Sequence, residues 1–236
     1  MTRRLRLAFA IGWLAPVLLP GLSCSSNRRA PDEPVPTHEE PHHRPVYQNA
    51  FVRVLDIEVP AGTVTRYHVH ANPMVSVTVR DARSWAQAPG AERGPVTDAR
   101  AVPYVGDNWD QPMPYTHRVG NADTVAFRRI AAEWLAPAGR GCPALAPMPG
   151  YHLVRDTRYG RVYEVRLRPS EATLPHEHAC PGLTVVGSGS LRADGTAPAA
   201  SAGTGAGSWS WRDAAHQHVV RNDGATTLVF YEVDWR

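Results

Sequence analysis

Two histidine pairs of the form His-x-His are the residues most able to bind a metal ion. Alternate residues of a β-strand face the same side, so each pair would present two imidazoles to one surface. Neutral imidazole is a common ligand for divalent transition metals. A third histidine follows each pair, and three protein ligands leave positions open for water or substrate, as catalytic metals require. The six candidate ligands are His68, His70 and His117, and then His176, His178 and His218.

Both histidine sets lie in an internal repeat. When His68 is placed on His176, residues 54–70 align with residues 162–178, and a slightly smaller shift aligns residues 117–121 with 218–222. A duplicated pattern of this kind is much less expected by chance than one isolated pair. The alternative is that the histidines are purely structural. The repeats are residues 46–136 and 151–236, and residues 137–150 form a linker rich in proline, glycine and alanine.

The segments around the histidines read as β-strands. Residues 74–80 alternate valine with polar residues, and residues 51–59, 124–135 and 226–235 are short and rich in β-branched residues. No segment has a helical period with capping residues. We therefore expect an all-β protein. Each repeat is close to the lower size limit for an independent domain, so we expect the two to pack together.

The motif spacing resembles that of the cupin superfamily. Residues 62–70 read Gly-x5-His-x-His, and residues 112–121 read Pro-x-Pro-x-x-His-x3-Asn. The resemblance covers both repeats and implies a bicupin with two tandem jelly-roll β-barrels. It also implies that the six histidines bind a divalent metal such as Fe, Mn, Ni or Zn, and that a small molecule is the substrate or ligand.

The sequence departs from the cupin pattern at the expected glutamate ligand. That residue would fall at Met74 or Val75 in the first repeat and at Gly182 or Leu183 in the second. None of these residues can bind the metal in place of the glutamate. Ser170 stands where the second repeat should carry the first-motif glycine. The superfamily includes three-histidine metal proteins and members without metal, so the resemblance leaves both readings open.

Other residues share the faces of the histidines. Cys180 or His216 could supply a fourth ligand in the second repeat. Alternatively, Cys180 could form a disulfide with Cys142, as is common in an oxidising compartment. By the same alternation, Arg66 and Tyr115 are expected to face the first cavity, where they could bind an anionic substrate or cap the barrel mouth.

The N-terminus predicts export. Three arginines precede the apolar residues 7–22, and Cys24 follows, which resembles a bacterial lipoprotein signal over residues 1–24. The alternative is an ordinary signal peptide. Either predicts an exported protein, periplasmic or anchored to the outer membrane, with membrane contact only through a lipid on Cys24. Residues 25–45, rich in proline and charge, are expected to be a disordered, solvated tether that includes His38, His42 and His43.

Charge and composition exclude some classes of function. The net charge is +3, and three of the positive charges lie in the signal segment, so the remaining chain lacks the basic surface of a nucleic-acid binder. All 25 basic residues are arginine, which excludes a Schiff-base lysine. The remaining hypotheses are a dioxygenase-like metalloenzyme, a non-catalytic module that binds a small ligand or metal, and a degenerate structural cupin.

Overall fold

The structure is a computed structural model that describes residues 33–139, 142–191 and 199–236. Within these ranges the regular structure is β-strand apart from one short 3-10 helix, Thr37–Glu39, so the all-β prediction is confirmed. The signal segment predicted at residues 1–24 lies outside the described residues. No helix in the described ranges is long and apolar enough to cross a membrane.

The first repeat forms two sheets. A five-stranded sheet has the order β2-β3-β9-β5-β7, and a four-stranded sheet has the order β1-β4-β8-β6. The strands are β1 (Val35–Pro36), β2 (His43–Gln48), β3 (Val52–Val59), β4 (His68–His70), β5 (Met74–Arg80), β6 (Ser84–Gln87), β7 (Tyr104–Asp107), β8 (Tyr115–Asn121) and β9 (Phe127–Trp134).

The second repeat has the same plan with one larger and one smaller sheet. Its six-stranded sheet has the order β10-β11-β17-β13-β15-β14, and β12 pairs with β16 alone. The strands are β10 (Tyr151–Asp156), β11 (Gly160–Leu167), β12 (His176–His178), β13 (Gly182–Ser188), β14 (Ala199–Ala200), β15 (Trp209–Arg212), β16 (His216–His218) and β17 (Leu228–Trp235).

The large sheet of each repeat is apolar on both faces. One face fills its own barrel, with Leu55 and Phe127 in the first repeat and Val165 and Phe230 in the second. The opposite faces of the two sheets meet in one shared core, which confirms that the repeats pack together. Alternation along each strand sends neighbouring residues to these two cores. The shared core includes Val54, Val77, Ile130, Trp209, Trp211, Val233 and Trp235.

The segment predicted as a disordered tether is ordered from residue 33 onwards. Val35 pairs with His68, and the Thr37 hydroxyl donates to the Val69 carbonyl at 2.7 Å. Glu40 and His43 are buried, and His43 begins β2. The prediction was wrong here because it counted apolar residues, whereas this segment is held by backbone pairing and by buried polar side chains that have partners.

The position of the first-motif glycine has a left-handed backbone conformation in both repeats. Gly62 has a φ of 67°, and Ser170 at the matching position has a φ of 69°. A residue with a Cβ adopts this region at a cost of about 1 kcal/mol. The turn before β4 is therefore retained before β12 even though its glycine is not.

Candidate metal centres

The first centre is built by the antiparallel pair β4 and β8. Their register places His68 opposite His117 and His70 opposite Tyr115, with one residue pair between the two. The Nε2 atoms of His70 and His117 are 3.1 Å apart. One ring nitrogen from each of the three histidines lies within 4.8 Å of the others. The two strands thus bring together all three residues proposed from the first repeat.

Burial keeps the first-centre histidines neutral. It lowers the pKa of His68 to about 4, of His117 to about 3 and of His70 to about 2, and neighbouring histidines add to the effect at the last two. His68 donates from Nδ1 to the Arg66 carbonyl at 3.0 Å, which leaves the Nε2 lone pair free for a metal. Neutral imidazoles with defined tautomers are the form that binds metal.

The second centre is built by β12 and β16. His176 lies opposite His218, with their Nε2 atoms 2.9 Å apart. Glu232 on β17 completes the group: its carboxylate is 3.1 Å from Nε2 of His178 and 3.5 Å from Nε2 of His218. The four side chains each offer one ligand atom within 4.8 Å of the rest. The second centre therefore has the carboxylate that the first centre lacks.

Asp234 and Arg212 lie beside the second centre, on the side of the His178 ring opposite to Glu232. Nδ1 of His178 donates to Asp234 at 2.8 Å, and Arg212 donates to the same carboxylate. Burial and Arg212 lower the pKa of His178, but Glu232 and Asp234 outweigh them, so that its pKa is raised. Burial raises the pKa of Glu232, but the charges of His178, Arg212 and His218 outweigh it, so that this pKa is well below its usual range.

A residue from an edge strand of each large sheet, β2 or β10, lies against the first histidine of the centre. Tyr151 donates from its hydroxyl to Glu232 at 2.8 Å and lies 2.9 Å from Nε2 of His176, and burial raises its pKa. In the first repeat the matching residue is His43, whose ring centroid lies 4.6 Å from that of His68. Register confirms the match, because His43 pairs with Ile57 as Tyr151 pairs with Val165.

Comparison with known proteins supports the fold. No family model and no curated protein matches the sequence. Among solved structures, salicylate 1,2-dioxygenase from Pseudaminobacter salicylatoxidans matches with a TM-score of 0.51 and 11% identity, over 80% of this chain and 72% of that one. AerE from Microcystis aeruginosa matches with a TM-score of 0.51 and 8% identity, over 84% and 98% of the two chains.

The chain has a cupin-type fold. Its two jelly-roll barrels agree with the resemblance read from the motifs, and at these identities the likeness shows a common fold alone. Which molecule a cupin-type barrel binds depends on the side chains inside it.

Neither residue suggested as a fourth ligand in the second repeat joins the histidine cluster. Cys180 is bonded to Cys142, so the disulfide alternative is confirmed and Cys180 is not a ligand. His216 lies opposite His178 on β16 and is outside the four-residue group. The residue that joins the histidines is Glu232, which belongs to neither cupin motif. The sequence did carry a signal for Glu232. Alternate residues of β17 face the barrel core, and after the apolar Leu228 and Phe230 the next two on that face are the acidic Glu232 and Asp234.

The two cavities differ in size and lining. The first is about 190 Å³ and contains all three first-repeat histidines together with Tyr115, whose ring stacks on His70 at 4.6 Å. Arg66 does not line it; its guanidinium donates to the Glu33 carbonyl at 3.1 Å. The second is about 470 Å³ and reaches His218 and Glu232. Tyr115 is therefore placed as predicted, whereas Arg66 is not.

Proposed function

We propose that this protein is an exported bicupin that binds a divalent transition metal and uses it to act on, or to bind, a small organic molecule. The observation that supports the proposal most strongly is that histidine nitrogens converge inside each barrel, with a carboxylate added in the second. The disulfide between Cys142 and Cys180 supports export, since such bonds persist in oxidising compartments. Membrane contact would come only through a lipid on Cys24.

The donor atoms fit a metal ion. In each barrel imidazole nitrogens of two histidines face each other, at 2.9 Å between His176 and His218 and at 3.1 Å between His70 and His117. Converging nitrogens of neutral imidazoles are a donor set that divalent transition metals bind. Three histidines and a glutamate suit Fe, Mn, Ni or Zn in the second barrel, while three neutral histidines form a weaker, uncharged set in the first. The metal's identity stays open among these four.

The chain's own residues would orient the metal and shield it. Asp234 holds the ring of His178 in place, and Tyr151 holds a proton beside Glu232 and His176. A bound metal would supply a Lewis acid that polarises a substrate oxygen or activates water or dioxygen. The cavity beside His218 and Glu232 gives a small molecule a route to it. Salicylate 1,2-dioxygenase, which shares the fold, is a precedent for an aromatic acid as substrate.

A second candidate function is non-catalytic binding. His178 lies between the carboxylates of Glu232 and Asp234, and Arg212 contacts Asp234. These charges balance one another without a metal, as they would in a barrel retained for structure or for ligand capture. Metal content separates a metal-binding barrel from a structural one, and turnover then separates an enzyme from a binding module.

Elemental analysis of the purified chain tests the proposal. We expect His176→Ala/His178→Ala to lose about one metal equivalent, because two of the four ligands are removed. His68→Ala/His70→Ala should lose the metal of the first barrel only. The control is His38→Ala/His42→Ala, which removes two histidines outside both centres. Equal metal content in all variants, or none in the wild type after loading at neutral pH, would contradict metal binding by these centres.

A further inference from the structure

Arg129 places a positive charge inside the first barrel. It lies on β9 opposite Ile57, on the strand face that also carries Phe127 and Ala131 into the barrel core. Its side chain lines the same cavity as the three histidines. Phe127 supports the guanidinium, which lies 4.9 Å from the ring centroid. The arginine is therefore held in place and directed into the cavity.

This charge has no partner in the described part of the chain. Arg129 forms no ion pair and no hydrogen bond there, and its Nε is buried. The adjacent Arg128, on the opposite face, is paired with Asp56 at 2.9 Å. Arg129 is half-buried, and proteins normally pair a charge that is partly removed from water with an ion or a hydrogen-bonding group. The missing partner at Arg129 points to a ligand.

The other groups facing the cavity do not neutralise Arg129. Among the described lining residues, Asp107 carries the one carboxylate, and Arg155 holds it with two hydrogen bonds of 2.8 and 2.9 Å. The other titratable side chains that line the cavity are imidazoles and one phenol, so none of them offers a carboxylate to Arg129; they are His43, His68, His70, Tyr115 and His117. The cavity thus carries one uncompensated positive charge.

The second barrel has the reverse arrangement at the matching positions. The alignment that places Trp134 on Trp235 places Arg129 on Phe230 and Ala131 on Glu232. Phe230 is fully buried in the second barrel's core, and Glu232 contributes a negative charge. The last strand therefore directs a positive side chain into the first barrel at Arg129, and a negative one into the second barrel at Glu232.

We propose that the first barrel binds a small monocarboxylate, with the carboxylate paired to Arg129 and the remainder directed towards the histidine cluster. The guanidinium matches a carboxylate in geometry and charge. Ile57, Met74 and Phe127 give the organic part an apolar wall. The carboxylate pairing rests on Arg129 alone, while a role for this ligand as substrate rests on the proposed metal function.

Calorimetry with formate, acetate and benzoate, each compared with its amide, tests this site. The wild type should bind at least one carboxylate and should bind its amide far more weakly. Arg129→Gln should weaken carboxylate binding by about 10- to 100-fold, the effect of losing a charge-assisted hydrogen bond. Arg129→Lys should retain part of the affinity because it keeps the charge. The control Arg80→Gln removes an exposed arginine of the same repeat and should bind as the wild type does.

Metal content and thermal midpoints of the same samples separate the two proposals. Loss of carboxylate binding in Arg129→Gln, with metal content unchanged, supports the site. Charge-dependent binding to a wild type that holds no metal would keep the carboxylate site and reject the metal function. Unchanged carboxylate binding by a folded Arg129→Gln, equal binding of the amides, or no binding of any carboxylate by the wild type would overturn the site.

Discussion

Replacing Glu232 with glutamine is expected to lower the metal affinity of the second barrel by roughly 100-fold. Removing a residue that only hydrogen-bonds to a metal ligand costs up to about 100-fold in affinity, and Glu232 is placed to be a ligand itself. The glutamine keeps the shape of the side chain but removes the negative charge. That charge lies 3.1 Å from Nε2 of His178 and 3.5 Å from Nε2 of His218. Metal titration of the purified variant, with the first-barrel pair His68→Ala/His70→Ala as background, measures the change in one centre.

Glu164→Gln is the matched control for this variant. Glu164 is in the same barrel, on β11, but its carboxylate pairs with Arg166 and Tyr231 away from the centre. The Glu164→Gln substitution should therefore leave the metal affinity of the second barrel unchanged. If Glu232→Gln binds metal as tightly as the wild type, the three histidines are sufficient, and Glu232 serves only as the ionic partner of His178.

Replacing Asn121 or Asn222 with alanine is expected to destabilise the fold by about 3 kcal/mol. Asn121 donates to the carbonyls of Val59 and Val125 at 3.0 and 2.8 Å and accepts from the Asp123 amide at 2.9 Å. The amide thus connects the end of β8 to the end of β3 and to the loop before β9. In Asn121→Ala the buried carbonyl of Val59 would lose this donor. Chemical denaturation measures the difference in free energy of unfolding.

The second repeat gives an independent copy of this test. Asn222 donates to Leu167 and Thr226 at 2.9 and 2.8 Å and accepts from Gly224 at 3.0 Å, which is the same pattern. Asn49→Ala is the control, because that amide accepts two backbone hydrogen bonds in a turn that water can reach. If Asn121→Ala or Asn222→Ala unfolds no more easily than Asn49→Ala, the motif asparagine has another role than holding this loop.

The repeat and the histidine spacing were sufficient to predict the fold class and to select the candidate ligands. This worked because strand alternation is a local property: two histidines two residues apart on a strand share a face wherever the strand lies. The later histidine could be assigned because the same spacing to Asn121 recurs at Asn222. Each of these inferences needed one motif and its duplicate, and no knowledge of which strands pair.

Glu232, Tyr151 and His43 could not be assigned in the same way. Each reaches a centre only through sheet pairing: Glu232 from β17, and Tyr151 and His43 from the edge strands β10 and β2. Glu232 also occupies a different strand from the glutamate of the cupin pattern. Residues 33–45 resembled a tether because their order depends on partners more than 20 residues away, such as His68 and Val69. Composition alone carries no information about such partners.

Anomalous diffraction from crystals of the metal-loaded protein, recorded at the absorption edge of the bound metal, shows directly which side chains hold the ion. We expect a peak in the second barrel among the side chains of His176, His178, His218 and Glu232. A weaker peak should lie among His68, His70 and His117 in the first. Loaded crystals with no peak in either barrel, or with peaks only at surface histidines such as His38 or His42, would contradict it.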